Sequence, residues 1–215
     1  MIVAAHQTML APQGAPPPYD AEVEYLSSDG SQYVDTGVAP NLPCALTYKA
    51  GVSFTNTTTR KIMGLQGGMY FGVVNGKYQA AQGGTASVAA TVSPNVFYDF
   101  GITFNKTDTN FSATTPPSRI DWSLDNMFGT ANEAVYYFLP STATIWLFVA
   151  NDATALRGAS SIKYFQIERN GVLLRDFIPV RVGSGSSAVG YLYDRVSGEL
   201  FGNAGTGSFV IGPDK

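Results

Sequence analysis

The stretch Ser161-Ile-Lys-Tyr-Phe-Gln-Ile-Glu-Arg-Asn-Gly-Val-Leu-Leu-Arg-Asp-Phe-Ile-Pro-Val-Arg181 decides the fold. Its two halves, 162–169 and 172–180, are apolar and aromatic runs separated by Asn170-Gly171, the dipeptide that most readily takes the two positive φ angles of a type I′ turn. They read as a hairpin. A second follows, with Tyr191-Leu192-Tyr193 and Leu200-Phe201 turned at Ser197-Gly198. Neither hairpin is stable alone in water, so both must lie on a larger sheet that hides Phe165, Ile167, Leu173, Phe177, Tyr191, Tyr193 and Phe201.

Upstream the pattern is also strand, turn, strand. Val23, Tyr25 and Leu26 open an edge strand, Asp29-Gly30 turns, and 32–38 returns. Residues 46–54, 60–65, 69–74, 77–82 and 87–92 follow as strands, with Asn75-Gly76 a second type I′ signal. In 97–104 the apolar residues at 98, 100, 102 and 104 fall on one face by the period of two. Residues 105–118 read as a polar loop, 120–124 as a strand turning at Asp125-Asn126 into 127–129, 132–139 as a further strand, and 144–150 as a buried strand that places Trp146 in the core. About twelve to fourteen strands and no amphipathic helix are the profile of two stacked antiparallel sheets.

Length and composition fit one domain, 21–215, behind an arm of residues 1–20. In the arm, Ala11-Pro-Gln-Gly-Ala-Pro-Pro-Pro-Tyr19 is a stiff extended linker, because proline fixes φ near the polyproline II value. Ile2, Val3, Met9 and Leu10 form a small apolar tip suited to docking on a partner. The arm lacks the basic start and apolar run of a secretory signal. Charged residues are only 13% of the chain, so neutral hydroxyls and amides must cover the surface. A net charge of −3 with scattered Lys and Arg argues against nucleic acid. No run approaches the roughly 20 apolar residues that span a bilayer as a helix.

The segment Arg175-Asp176-Phe177-Ile178-Pro179-Val180-Arg181, then Tyr193-Asp194-Arg195-Val196-Ser197-Gly198-Glu199-Leu200-Phe201-Gly202-Asn203 and the closing Gly212-Pro213-Asp214, resembles a family of small concanavalin A-like (LamG-like) proteins of gut bacteria and their phages and prophages. The opening Glu24-Tyr25-Leu26-Ser27-Ser28-Asp29-Gly30-Ser31-Gln32-Tyr33-Val34-Asp35-Thr36-Gly37 is similar to the start of that family. The resemblance brackets residues 22–214 and implies an all-β, concanavalin A-like jelly-roll sandwich of two antiparallel sheets. It implies function only loosely, because a fold hosts many activities.

Little in the chain speaks for catalysis. The one histidine, His6, lies in the arm, so no histidine-assisted nucleophile sits in the domain. The Glu-x-Asp-x-x-Glu strand of glucanases on this fold is absent, and Glu133, Glu168 and Glu199 stand in separate elements. Cys44 is alone, which leaves no internal disulfide and no cysteine metal site. Asp121, Asp125 and Asn126, or Asn151 and Asp152, are too sparse for calcium, and Asp125-Asn126 and Asn151-Asp152 read as turn formers. No cofactor or metal is expected. Asp194 reads as a side chain that holds its turn, and Arg175, Asp176 and Arg181 as an ion-pair network. The sequons at Asn56, Asn105 and Asn110 carry no weight in a bacterial or viral cytosolic product.

A glycan site needs an exposed ring beside amides and carboxylates. Trp122, next to Asp125 and Asn126, and Tyr78, just past Asn75-Gly76, are the candidate rings, with a core reading set against Trp122. The chain is therefore expected to be a non-enzymatic structural or adhesive protein on the surface of a phage or prophage particle. In that reading the arm attaches it to other virion or assembly proteins, with homotrimer formation and host glycans as further contacts. The alternative is a bacterial surface or secreted carbohydrate-binding module.

Overall fold

The computed structural model describes residues 16–39, 45–56, 58, 60–65, 69–82, 86–105, 119–132, 143–151 and 159–215. The strands among them are β1 (Ala21–Glu22), β2 (Leu26–Ser28), β3 (Val34–Asp35), β4 (Ala45–Phe54), β5 (Arg60–Leu65), β6 (Met69–Val74), β7 (Lys77–Gln82), β8 (Ala86–Thr91), β9 (Tyr98–Asn105), β10 (Arg119–Leu124) and β11 (Met127–Asn132). After them come β12 (Trp146–Leu147), β13 (Ala150–Asn151), β14 (Ser160–Arg169), β15 (Val172–Val182), β16 (Val189–Asp194), β17 (Glu199–Phe201) and β18 (Val210–Ile211). All but the first residue of the expected strand at 132–139, most of the loop at 105–118, Cys44 and the apolar tip of Ile2, Val3, Met9 and Leu10 lie outside the described residues.

The strands form two sheets. The larger runs β11-β10-β9-β4-β14-β15-β16-β17, with β1 beside β15 and β2 joining β14 to β18. The smaller runs β3-β12-β5-β6-β7-β8, with β13 also on β5. Both Asn-Gly dipeptides make the expected hairpins: φ is 50° and 74° at Asn75 and Gly76, and 50° and 77° at Asn170 and Gly171. The second hairpin is clamped to the start of β4, where the Ala45 N–H donates to the Asn170 side chain and the Asn170 N–H to the Ala45 carbonyl.

Alternation sets the inner faces. On β4, Leu46, Tyr48, Ala50, Val52 and Phe54 are buried, and on β9 their partners Phe104, Ile102 and Phe100 are buried with them. Across the gap the smaller sheet contributes Phe71 and Tyr78. The Phe71 ring stacks on Phe165, with centroids 6.1 Å apart and planes 9° apart, and Tyr78 meets Phe100 at 4.6 Å. These contacts tie β6 and β7 to β9 and β14, so the layers share one core. The fold is an all-β jelly-roll sandwich.

Three details depart from expectation. First, β13 runs parallel to β5, while β12 runs antiparallel to it, and both meet it at Gly64. The chain reverses between them at Phe148, whose φ of 69° is rare for so large a side chain. Burial against Phe209 and a bond from the Phe148 N–H to the Ile62 carbonyl hold it there. Second, register pairs Phe177 with Asp194 and Pro179 with Leu192, so Leu192 and Asp194 point inward, and Tyr191 and Tyr193 outward. Leu173, near the hairpin tip, is exposed rather than hidden. Third, the expected arm boundary falls within a docked segment. Tyr19 packs on Tyr193 at 5.0 Å, the Asp20 N–H reaches the Arg181 carbonyl, and the Asp20 carboxylate accepts from the Gly183 N–H.

The polar signature residues hold the sheet's end together. Asp194 is fully buried and accepts from the N–H groups of Asp176, Val196 and Ser197, which is the turn-holding role expected of it. The ion pairs divide as Arg195 with Asp176, Arg175 with Asp194, and Arg181 with Asp214, so the expected network takes its partners from the following hairpin and the C-terminal segment.

The Tyr78 hydroxyl is buried without a hydrogen-bond partner. Tyr78→Phe therefore leaves stability unchanged or raises it by up to about 1 kcal/mol, whereas Phe165→Ala costs about 3–5 kcal/mol; urea unfolding of the two variants checks both. Asp214 is held below the usual carboxylate range by its hydrogen bond with Arg181. A depressed native value stabilises above the unfolded value and is lost as pH falls through the native one. Cleavage within the C-terminal segment by pepsin should thus rise at strongly acidic pH, and Asp214→Asn should make the same segment susceptible to a neutral protease at about pH 7.

Candidate functional site

The outer face of the larger sheet carries the residues that alternate with the core positions. Register lays them in rows across the strands. One row is Tyr164 on β14, Gly51 on β4 and Asp99 on β9. The next is Gln166, Lys49, Gly101 and, on β10, Ser123, and the third is Glu168, Thr47 and Thr103. Between them lies an open groove of about 340 Å³, lined among others by Thr47, Lys49, Asp99, Gly101, Ser123 and Tyr164.

Tyr164 owes its position to two local features. The pairing of β14 with β4 slips between Ile162 and Tyr164, a bulge that makes Lys163 and Tyr164 successive outward residues and returns Phe165 to the core. Opposite Tyr164 stands Gly51, where a Cβ would come 2.7 Å from the Tyr164 Cε1 and 2.9 Å from its Cδ1. The ring therefore lies across the β4 backbone in the space a side chain would fill. Its hydroxyl donates to the Asp99 Oδ1 at 3.0 Å, which pins the far edge to β9. Burial first, and then that hydrogen bond, push the phenol above the usual tyrosine range, so Tyr164 stays a donor.

The remaining groups are set by their neighbours. Asp99 is itself held, its N–H donating to the Asp125 Oδ1 at 2.8 Å, while the Asp125 N–H returns a bond to the Asp99 carbonyl. Asp125 has a φ of 49°, in the left-handed region that Asp tolerates, and so brings its carboxylate over the end of β9. Lys49 is half-exposed and pairs with Glu168 at 2.7 Å. The Thr47 and Thr103 hydroxyls bond each other at 2.9 Å. Ser123 leans over Gly101, its Oγ occupying the place of the missing Cβ. The surface thus offers one tethered ring, two carboxylates, an ammonium and three hydroxyls within one trough, a set able to stack and to hydrogen-bond.

The sequence candidates divide sharply. Asp125 reaches the groove, and Asn126 stands exposed in the same turn. Trp122 pairs with Ile102, which turns it toward the inner face, half-buried against the core, and it contributes to the lining of the groove from that side. Tyr78 is a correction: with 0% exposure, packed on Phe71 and Phe100, it presents no face to a ligand. Sequence reasoning missed Tyr164, Lys49, Asp99 and the two glycines. One signal was present: the apolar positions 162, 165 and 167 change phase between the first and second, which marks a bulge there. Among the described residues no group of three or more His, Cys, Asp or Glu could hold a metal ion, and no helix is long and apolar enough to cross a membrane.

No family model and no curated protein matches the chain. Among solved structures, its fold is similar to that of a protein from Bacteroides ovatus ATCC 8483, provisionally described as carbohydrate-binding, with a TM-score of 0.58 and 10% sequence identity. The match covers 90% of this chain but 61% of that one, so this chain spans less than two thirds of the length of that neighbour. At that identity the likeness concerns the fold, and the two-sheet sandwich is what the proteins share.

Proposed function

We propose that this protein is a non-enzymatic glycan-binding module that attaches through the groove beside Tyr164. The observation that carries the reading is the tyrosine ring laid across Gly51 and tethered to Asp99. A pyranose has an apolar face of C–H groups and an equatorial rim of hydroxyls. A ring fixed flat on a sheet takes the first at little entropic cost, and Asp99, Lys49, Ser123 and the threonines take the second. The description of the Bacteroides ovatus neighbour as carbohydrate-binding agrees with this assignment.

Binding without turnover is favoured because both carboxylates on the groove are already in use. Asp99 orients the ring, and Asp125 holds the Asp99 backbone. Each is committed through one oxygen to building the site and keeps the other to accept from a sugar hydroxyl. We place the module on the outside of a phage or prophage particle, with residues 1–20 as its attachment. The support for this context is the family resemblance, the low charged share and the proline-rich arm sequence. Co-purification with particles tests it, and recovery from a bacterial envelope instead would reassign the location.

Affinity electrophoresis through gels cast with β-1,3-glucan, β-1,4-xylan or soluble chitin tests the binding itself. The wild-type protein should be retarded by at least one of these, Tyr164→Ala should weaken retention at least tenfold, about 1.4 kcal/mol, and Tyr78→Phe should be inert. Retention unaffected by Tyr164→Ala, or sugar released by purified protein, refutes the reading. Gly51→Ala should also weaken binding several-fold while the fold survives, because the added methyl lifts the ring; a changed near-UV circular dichroism with unchanged far-UV signal is the accompanying signature.

A further inference from the structure

The groove is one end of a longer polar line. Following the register across the sheet, Ser123 lies beside Gly101, Gly101 beside Lys49, Lys49 beside Gln166, and Gln166 beside Asp176. Arg195 completes the line, its N–H bonded to the Asp176 carbonyl. All six positions belong to the outer face, as successive neighbours on one row must. The line crosses five inter-strand spacings, about 24 Å.

Its members are linked side chain to side chain at the far end. The Gln166 Nε2 donates to the Asp176 Oδ1 at 3.0 Å, and the Arg195 Nε donates to the Asp176 Oδ2 at 2.9 Å. These bonds fix the direction in which the Gln166 amide oxygen and the remaining Arg195 N–H groups are left to face. Arg195 keeps 53% of its side chain exposed. The rows on either side are closed to a ligand lying along the strands: Tyr164 and Asp99 flank one side, and the bonded Thr47 and Thr103 pair flanks the other. The direction left open runs across the strands.

Resting on the glycan-binding reading above, we propose that the ligand is an internal stretch of a linear polysaccharide laid across the strands from Ser123 to Arg195, rather than a single terminal sugar. Tyr164 stacks one pyranose at the groove, and Lys49, Gln166 and Arg195 hydrogen-bond the hydroxyls of the units that follow. Each added unit meets a preformed polar group on a rigid sheet, so affinity grows with chain length until the line is covered.

Isothermal titration with mono-, tri- and hexasaccharides of β-1,3-glucan, β-1,4-xylan and chitin separates the possibilities. The expected result is at least a tenfold gain in affinity from tri- to hexasaccharide in the series that binds. Arg195→Ala and Gln166→Ala should each weaken the hexasaccharide several-fold and leave the trisaccharide unchanged, while Tyr164→Ala weakens both. Arg195 is exposed enough for its variant to fold, which far-UV circular dichroism verifies. A trisaccharide that binds as tightly as the hexasaccharide, or far-end variants that change nothing, overturns the extended site and leaves glycan binding at the groove intact. No binding in any series overturns both.

Discussion

The contact on which the structure depends is aromatic and lies between the layers. Phe71 and Tyr78, carried by the smaller sheet, meet Phe100 and Phe165 of the larger one. Neither sheet can bury its apolar face alone, so these rings turn two surfaces that water would strip apart into one dry interior. The long central strands β4, β9 and β14 are held side by side by that demand. Their alternate residues are in consequence forced outward in equally regular rows.

The outer face inherits this order but is shaped by its exceptions. A bulge at Lys163 breaks the alternation once, and puts an aromatic residue where the period of two would have put a core position. Gly51 and Gly101 remove side chains on two adjacent strands, and Tyr164 and Ser123 lean into the space. Rigidity from below and a local departure above together make a flat, tethered ring, a combination that a loop could supply only at a cost in ordering entropy.

Charge serves mainly to close the structure. The buried Asp194 collects three backbone N–H groups, the Arg181 and Asp214 pair ties the C-terminal segment to β15, and Asp176 is shared by Gln166 and Arg195. With so few charged residues in the chain, Arg175, Arg181 and Arg195 are all taken up in such pairs, and much of the exterior is left to hydroxyls and amides. Such a coat suits contact with neutral, hydroxyl-rich ligands.

Much of the architecture was legible in the chain itself. Apolar alternation in 97–104 and the Asn-Gly dipeptides at 75–76 and 170–171 specify strands and turns through local sterics, and each appears where expected. So does the turn-holding role of Asp194, which depends on near neighbours. Of the site only the end at Trp122 and Asp125 was legible, because the rest depends on which residues become neighbours across strands. Tyr78 looks like a surface ring beside a turn, yet packing buries it completely. Tyr164, Gly51 and Asp99 are far apart along the chain and meet only when β14, β4 and β9 pair. Period and turn chemistry are properties of a few consecutive residues, so the amino-acid order alone determined them. Register between distant strands is selected by burial of the whole core, and only the tertiary structure decided it.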